Sequence, residues 1–134
     1  MGFNKKDIVG FQKDGENFVK RIVGVPNDTV YFDGAKYQMF KTGNLYFKIP
    51  KKGTTFTFDK NNFDFYRPLI EHYENVQVGY IINKIFINST ETNIYTFKYN
   101  YYFVQGDNIE ESLDSRSFGL VPETHLFGKV LFFK

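Results

Sequence analysis

The 134-residue sequence contains no cysteine and no tryptophan, and it has only four prolines. Without cysteine the chain has no disulfide framework, no thiolate metal site and no thiol nucleophile. No run of 18 apolar residues occurs, so the sequence predicts no transmembrane helix. It also lacks repeats and any linker rich in serine, glycine and proline, which predicts a single domain over residues 1–134.

The net charge and the histidine content indicate which kinds of partner and metal site the sequence disfavours. The formal net charge is +2, and the basic residues are dispersed instead of forming a continuous stripe. This distribution predicts no nucleic-acid partner. The two histidines, His72 and His125, have no carboxylate at ligand spacing, so we expect surface positions for them, no metal and no cofactor.

Aromatic residues dominate the apolar positions, with 17 phenylalanines and 10 tyrosines. They favour β-strands, and the core of a small β-fold explains them more simply than a ligand-stacking surface. Short apolar runs alternate with turn residues along the chain. The sequence therefore predicts an all-β fold of antiparallel sheets, with strands over residues 7–12, 17–25, 29–32, 35–40, 54–58, 76–81, 84–87, 95–105 and 128–133.

One segment has the period of a helix. Its apolar residues recur at intervals of three and four, at Phe63, Tyr66, Leu69, Ile70 and Tyr73. They predict one short helix, with Asp59 or Asn62 as the N-cap and with Pro68 kinking or delaying it.

Two short motifs, a dipeptide and a tripeptide, predict turns. Asp33 and Gly34 lie between apolar runs and predict a type I′ turn that closes a hairpin over residues 30–38. Asn88, Ser89 and Thr90 form a glycosylation sequon, but their place between two predicted strands favours a turn.

Lys20 lies in an apolar stretch that continues into a Gly-x-Pro-Asn-Asp turn ending at Asp28. One interpretation is an exposed lysine on an edge strand. The other is a buried amine that serves as a general base, because desolvation disfavours the ammonium form. Since alternation sends part of the apolar flank to the opposite face, we expect Lys20 to be only partly buried.

A polar segment, residues 105–119, lies between two apolar strands. A surface loop with Asx turns is one interpretation, and a functional loop on a rigid scaffold is the other. Its polar residues include Gly106, Asp107, Asn108, Ser112, Asp114 and Arg116. Asp114 and Arg116 are predicted to pair and to fix the shape of the loop.

These segments together resemble the type I signal peptidases. The resemblance rests on Lys-Arg-apolar-apolar-Gly-x-Pro-x-Asp at 20–28 and Gly-Asp-Asn-x3-Ser-x-Asp-Ser-Arg at 106–116. Lys-Lys-Asp-Ile-Val at 5–9 and the final apolar run at 128–133 extend it, whereas residues 41–94 match loosely. The family favours glycine at the position of Asn27; asparagine tolerates left-handed backbone, so we expect the turn to survive.

The resemblance implies a Ser/Lys endopeptidase that cleaves the signal peptides of exported preproteins after small residues. Lys20 would be the general base, and Ser112 would orient its amine. The supporting residues would be Gly106, Asp107 and Asn108 in the loop and the ion pair of Asp114 with Arg116. The implied location is the outer face of the bacterial cytoplasmic membrane, with the anchor expected outside this chain.

The nucleophile has no candidate upstream of Lys20, because residues 1–19 contain no Ser, Thr or Cys. In the family the nucleophilic serine precedes the lysine. The serines here are Ser89, Ser112, Ser115 and Ser117, and none matches that position. We therefore expect the nucleophile outside this chain and the chain by itself to be inactive, whether it is trimmed, a fragment or a degenerate relative.

The sequence leaves two alternatives. A self-cleaving repressor domain shares a Ser/Lys dyad and a related fold, but it lacks the Gly-Asp-Asn loop. A non-catalytic module that keeps the fold and the peptide groove without the chemistry is the alternative function.

Overall fold

The structure, a computed structural model, describes residues 2–107 and 113–129. In chain order its strands are β1 (Ile8–Lys13), β2 (Glu16–Gly24), β3 (Thr29–Phe32), β4 (Tyr37–Gln38), β5 (Leu45–Lys48), β6 (Thr55–Thr57), β7 (Val78–Ile81), β8 (Lys84–Ile87), β9 (Thr90–Glu91), β10 (Ile94–Thr96), β11 (Tyr101–Gln105), β12 (Val121–Pro122) and β13 (Leu126–Lys129). The helices are α1 (Phe63–Tyr73) and α2 (Ser115–Phe118), with a 3₁₀ turn at Glu123–His125. All strand pairings are antiparallel within these ranges, which confirms the all-β prediction.

The chain divides into two compact units. The first is built from both ends of the sequence, up to Ile49 and from Asn100 onward, and the second is the continuous segment Pro50–Tyr99. The single domain over residues 1–134 stays a prediction beside this division. Among residues 2–107 and 113–129, no helix has the length and apolarity to cross a bilayer.

The first unit is organised around a five-stranded sheet with the order β12-β11-β2-β1-β13. Its own strands contribute one core cluster, formed by Val9, Phe11, Ile22, Tyr102, Val104, Val121 and Leu126. The same unit holds a smaller sheet, β4-β3-β5. Because β2 is the middle strand, its backbone is paired on both sides, with β1 and with β11.

A tight turn sets the register of β1 against β2. Asp14 and Gly15 have φ values of 52° and 79°, and the flanking residues Lys13 and Glu16 pair directly. Two positive φ angles in a two-residue loop define a type I′ turn, whose twist matches that of the strands. Asp14 and Gly15 are thus an Asp-Gly dipeptide that does form a type I′ turn, although no turn type was predicted at this position.

The hairpin predicted over residues 30–38 is confirmed, but its type I′ turn is wrong. The last pair is Phe32 with Tyr37, which leaves a four-residue loop, and of the Asp33-Gly34 dipeptide only Gly34 has a positive φ. The Asp33 carboxylate accepts hydrogen bonds from the backbone N–H groups of Ala35 and Lys36, both at 2.8 Å. These bonds form an Asx turn, which satisfies the two backbone N–H groups without a type I′ turn.

The second unit packs α1 with two small sheets, β6 with β10 and β7-β8-β9. The predicted helix is confirmed, and Phe63, Tyr66, Leu69 and Ile70 are its buried face. The helix runs through Pro68, so the expected delay is wrong. Asn62 is the N-cap but makes no side-chain cap; the Asp59 carboxylate instead accepts from the backbone N–H groups of Asn61 and Asn62.

Glu74, at the end of α1, is the fully buried carboxylate of this unit. Its Oε1 accepts a 2.6 Å hydrogen bond from the Tyr95 hydroxyl and a 2.7 Å hydrogen bond from the Lys98 backbone N–H. Burial and this bond to Glu74 raise the pKa of Tyr95. The backbone N–H of Lys98 therefore bonds a side chain instead of a strand, which helps to explain why the predicted strand 95–105 splits into β10 and β11.

The boundaries of other predicted strands also change. The strand 35–40 contracts to β4, and the strand 128–133 begins earlier, at Leu126, while its last residues lie outside the described ranges. β5, β9, β12 and α2 were not predicted. These elements are two to four residues long, too short for a periodic pattern to show.

The β7–β8 hairpin generates a stability prediction. Ile82 and Asn83 form its two-residue turn, with φ values of 48° and 63°. A left-handed backbone costs a β-branched residue about 1–2 kcal/mol, which asparagine largely avoids. Since Ile82 is 87% exposed, Ile82→Asn should raise the free energy of unfolding by about 1 kcal/mol, measured by urea titration.

Ile94→Asn is the matched control, because Ile94 is a half-exposed isoleucine of the same unit without a positive φ. It should give no stabilisation. An equal gain from both substitutions would show that the effect does not come from the turn.

Candidate active site

Lys20 lies on β2, the middle strand of the five-stranded sheet, and only 8% of its surface is exposed. It pairs with Val9 of β1, and the alternation of β2 puts it on the same face as the half-buried Phe18 and the buried Ile22. Its Nζ is 6.0 Å from the centroid of the Phe18 ring. The edge-strand interpretation is excluded for this residue.

The expected partial burial of Lys20 is wrong. Val19 does point away from the core and is 60% exposed, as alternation requires. The sequence did not indicate, however, that β2 is the middle strand of the sheet, where Lys20 lies on the same face as the buried Val9 and Ile22.

The polar segment begins beside Lys20. Gln105, the last residue of β11, pairs with Arg21, which directly follows Lys20. Arg21 then binds Asp107 in a bidentate pair, with Nε to Oδ1 at 2.9 Å and Nη2 to Oδ2 at 3.0 Å. Its hydrogen bond lowers the pKa of Asp107. Arg21 was not predicted as a site residue, although its place next to Lys20 in the matched motif was the available signal.

Asp114 is fully buried and joins the two ends of the loop. Its Oδ2 accepts from the backbone N–H of Gly106 at 3.0 Å, and its Oδ1 accepts from the backbone N–H of Arg116 at 3.0 Å. The Arg116 guanidinium adds Nε to Oδ1 at 3.0 Å and Nη2 to Oδ2 at 2.7 Å. The predicted ion pair is therefore present. Desolvation raises the pKa of Asp114, but the hydrogen bonds from Arg116 and Gly106 outweigh it and hold the pKa below its usual value.

Ser115 links α2 to the five-stranded sheet by a hydrogen bond. Its buried Oγ accepts a 2.9 Å hydrogen bond from the backbone N–H of Val104, on β11. Asp114 is also the N-cap of α2, so the same carboxylate pairs with Arg116 and caps the helix. Sequence reasoning gave Ser115 no role; its position between Asp114 and Arg116 was the only signal.

Asn108 and Ser112, two predicted site residues, lie outside the described ranges. The contact of Ser112 with Lys20 therefore stays a prediction. The other predicted residues of the loop, Gly106, Asp107, Asp114 and Arg116, adjoin the end of β11 or the start of α2.

The turn after β2 has a specific geometry. Asn27 has a φ of 77°, and the backbone N–H of Asp28 donates to the carbonyl of Val25 at 3.0 Å. Proline at the second position and a positive φ at the third match a type II turn, so the expectation for Asn27 is confirmed. The Asp28 carboxylate accepts from the backbone N–H of Val25 and pairs with Lys5 at 3.0 Å.

Gly24 begins the same motif for a steric reason. A Cβ at this position would lie 2.8 Å from the Met39 side chain and 2.9 Å from the Phe103 Cβ. The register also shifts here, since Phe103 pairs with Gly24 and Val104 pairs with Ile22. Glycine therefore lets β11 approach β2 closely at this irregular point.

The two Asp–Arg pairs generate a comparison of stability. Removing one partner of a buried pair costs about 3–5 kcal/mol, so Asp114→Ala should lower the free energy of unfolding by about that amount. Asp107→Ala breaks a pair of the same bidentate geometry at the surface and should change it far less. Urea unfolding measures both; similar losses would show that burial does not distinguish the pairs.

The depressed pKa of Asp114 also predicts acid sensitivity. A carboxylate whose folded-state pKa lies below its unfolded value of about 3.9 stabilises the fold above that pH and loses its contribution as pH falls through the folded pKa. The stability difference between wild type and Asp114→Ala should therefore be constant near neutral pH and shrink below about pH 4. A difference that does not change with pH in urea titrations would contradict this.

The chain was compared with known proteins. A family model described as signal peptidase, peptidase S26, matches residues 2–133. Signal peptidase IB of Staphylococcus aureus is 28% identical over 137 residues, covering 98% of this chain and 60% of that protein. Signal peptidase I of Buchnera aphidicola subsp. Schizaphis graminum is 29% identical over 159 residues, covering 92% and 51%. Signal peptidase I of Buchnera aphidicola subsp. Acyrthosiphon pisum is 27% identical, covering 96% and 52%.

The chain spans about half to three-fifths of the length of these relatives. Their alignments nevertheless cover more than nine-tenths of this chain. Because the family match takes in nearly every residue, the chain belongs to the signal peptidase family, peptidase S26.

Proposed function

We propose that this chain is the part of a type I signal peptidase that carries the general base, Lys20. The supporting observation is a lysine that is 8% exposed in the middle strand of the main sheet, beside a loop held by buried hydrogen bonds. Lysine is among the residue types least often buried in proteins, so its place on the core face of the sheet, beside Ile22, supports a functional role.

The proposed chemistry is a Ser/Lys endopeptidase reaction. The neutral amine of Lys20 accepts the proton of a serine hydroxyl as that oxygen attacks the scissile carbonyl. Lys20 then returns the proton to the leaving amine, and water releases the acyl group with the same lysine as base. We place the nucleophilic serine outside this chain, because residues 1–19 offer no hydroxyl or thiol.

Ser112 is proposed to orient the Lys20 amine. Support comes from the fixed ends of the segment that contains it: Asp107 is held by Arg21, and Gly106 is held by Asp114. Both anchors lie beside the strand of Lys20. Asn108 is proposed to help shape the loop. Asp114 and Arg116 take no proton in this scheme, because their polar atoms already bond each other and the loop backbone.

The proposed substrates are the signal peptides of exported preproteins, cut after small residues. The proposed location is the outer face of the bacterial cytoplasmic membrane, with the anchor in a part of the protein outside these residues. The family match and the names of the bacterial signal peptidases support signal peptides as the substrates. The preference for small residues and the location are what the resemblance of the motifs implies.

The test uses an Ala-x-Ala reporter peptide and two proteins, this chain and a version extended by a serine-bearing upstream segment. The chain alone should not cleave. In the extended protein, Lys20→Met should lower kcat/KM by about 10⁴-fold or more, and Ser112→Ala by a smaller factor, because one removes the base and the other its orientation. Lys36→Met changes an exposed turn lysine and should leave the rate unchanged.

Cleavage by the chain alone that depends on Lys20 would contradict the placement of the nucleophile. An extended protein that binds the peptide without cleaving it would favour the non-catalytic module. Cleavage whose rate is unchanged by Lys20→Met would contradict the role of Lys20 as the general base. Thermal unfolding of each variant separates a lost base from a lost fold.

A further inference from the structure

β7 is a free edge of the three-stranded sheet β7-β8-β9. Its register with β8 is continuous over Val78–Ile81. A free edge exposes backbone groups that another chain can pair with, and natural proteins protect such edges by shortness, proline, lysine or bulges. β7 contains neither proline nor a charged residue, so its edge lacks the usual protection.

The other edge strands within the described residues are protected. β4, β6, β9, β10 and β12 are only two or three residues long. β5 and β13 have four residues, as β7 does, but they end in Lys48 and Lys129. Among the described residues, β7 is therefore the one four-residue edge strand without a charge.

The turn of the β7–β8 hairpin decides which backbone groups of β7 face outward. In a hairpin closed by a two-residue turn, the pair beside the turn exchanges both of its hydrogen bonds, and this pair is Ile81 with Lys84. Because the bonding alternates along an antiparallel pair, Gly79 also bonds β8. The N–H and C=O groups of Val78 and Tyr80 therefore point away from β8, to the side on which the sheet has no further described strand.

An open cleft of about 620 Å³ borders the same edge. Val78, Gly79 and Ile81 of β7 line it, together with the preceding Val76 and Gln77. Ile81 lies at the end of this edge with 60% of its surface exposed. The edge of β7 thus carries outward backbone groups, a cleft and an exposed apolar side chain.

We infer that β7 is an interface between two copies of this chain, which pair their β7 strands antiparallel about a two-fold axis at Gly79. In this register Val78 of each copy exchanges both backbone hydrogen bonds with Tyr80 of the other copy. The outward groups of both strands are then satisfied, and the two small sheets join into one of six strands. This pairing does not depend on the proposed peptidase chemistry.

The side chains on either side of Gly79 suit a two-fold axis. Gln77 and Ile81 lie two residues before and after it, so the axis places Ile81 of one copy opposite Gln77 of the other. Since Gln77 lines the cleft, each cleft receives the exposed isoleucine of the other copy. Residues 76–82 carry no charge, so the pairing brings no like charges together.

These features favour a second copy over an unrelated extended peptide. A peptide would use only the outward backbone groups, whereas the match of Ile81 to the cleft beside Gln77 follows from two identical strands. A strand pair of this length buries less than the roughly 800 Å² per partner of a standard interface, so we expect the association to be weak.

The first experiment follows the weight-average mass of the 134-residue chain by analytical ultracentrifugation as its concentration rises. The mass should approach twice that of one chain. Val78→Pro should weaken the association about tenfold, because each copy loses one outward hydrogen-bond donor. The β7–β8 hydrogen bonds should persist, since the N–H of Val78 takes no part in them.

Glu91→Pro is the matched control. Glu91 follows the pair of Ile87 with Thr90 beside the next two-residue turn, so its N–H points away from β8 at the opposite edge of the same sheet. This substitution should leave the association unchanged. Thermal unfolding of both variants tests whether the fold persists.

A second experiment uses the absence of cysteine and needs no proline. Gly79→Cys puts one thiol of each copy at the two-fold axis, in a non-hydrogen-bonded pair whose Cα atoms lie about 4.5 Å apart, within reach of a disulfide. The added Cβ meets the Phe86 Cβ at 3.7 Å, an ordinary contact, so the variant should fold. Under mild oxidation it should cross-link about tenfold faster than Ala35→Cys, whose thiol lies in the exposed β3–β4 loop.

Three results would overturn the inference: the chain stays monomeric at every concentration, Val78→Pro and Glu91→Pro change the association equally, or the two cysteine variants cross-link at the same rate. A monomeric chain whose β7 amide hydrogens are protected from exchange by a synthetic peptide of residues 76–82 would assign the edge to extended peptides instead of a second copy.

Discussion

The hydrogen bonds of the buried Asp114 carboxylate hold the two ends of the loop together, and the rest of the proposed site depends on them. It gathers the backbone N–H of Gly106, the backbone N–H of Arg116 and the guanidinium of Arg116 around two oxygens. Those groups come from the end of β11 and the start of α2, so one side chain closes the loop and caps the helix. A buried charge is tolerated only when its hydrogen-bonding capacity is used in this way, which is why the carboxylate and guanidinium form a unit.

The same loop is tied to the sheet by a second set of bonds. Ser115 accepts from Val104 within the sheet, and Asp107 pairs with Arg21 on β2. Lys20 precedes Arg21, so the strand that carries the proposed base also anchors the loop proposed to orient it. In this arrangement the sheet holds Lys20 in a buried position. Polar contacts from the loop to the lysine are part of the proposal. The family membership of the chain fits this division, because both signature motifs lie in the first unit.

The second unit has a different character. Its segment, Pro50–Tyr99, largely coincides with the region whose sequence resembles the family only loosely. Its core is aromatic, with Phe56 in ring contact with Tyr66 and Phe97. The Glu74 carboxylate accepts hydrogen bonds from the Tyr95 hydroxyl and the backbone N–H of Lys98. A unit held by its own core can vary at its surface without disturbing the proposed catalytic residues, and the strained apolar hairpin tip is such a surface feature.

The sequence by itself determined the features that rest on local rules. Periodicity identified α1 and the antiparallel strands, the tolerance of asparagine for left-handed backbone preserved the turn at Asn27, and the ion pair of Asp114 with Arg116 spans two residues. Tertiary structure decided the rest. Lys20 lies on a strand that is paired on both sides, and Arg21 meets Asp107 across 86 residues of sequence. The predicted strand 95–105 breaks where the backbone of Lys98 and of Asn100 bonds the carboxylates of Glu74 and Glu123. Such contacts join segments far apart in the chain, and neither a local period nor a local turn preference carries information about them.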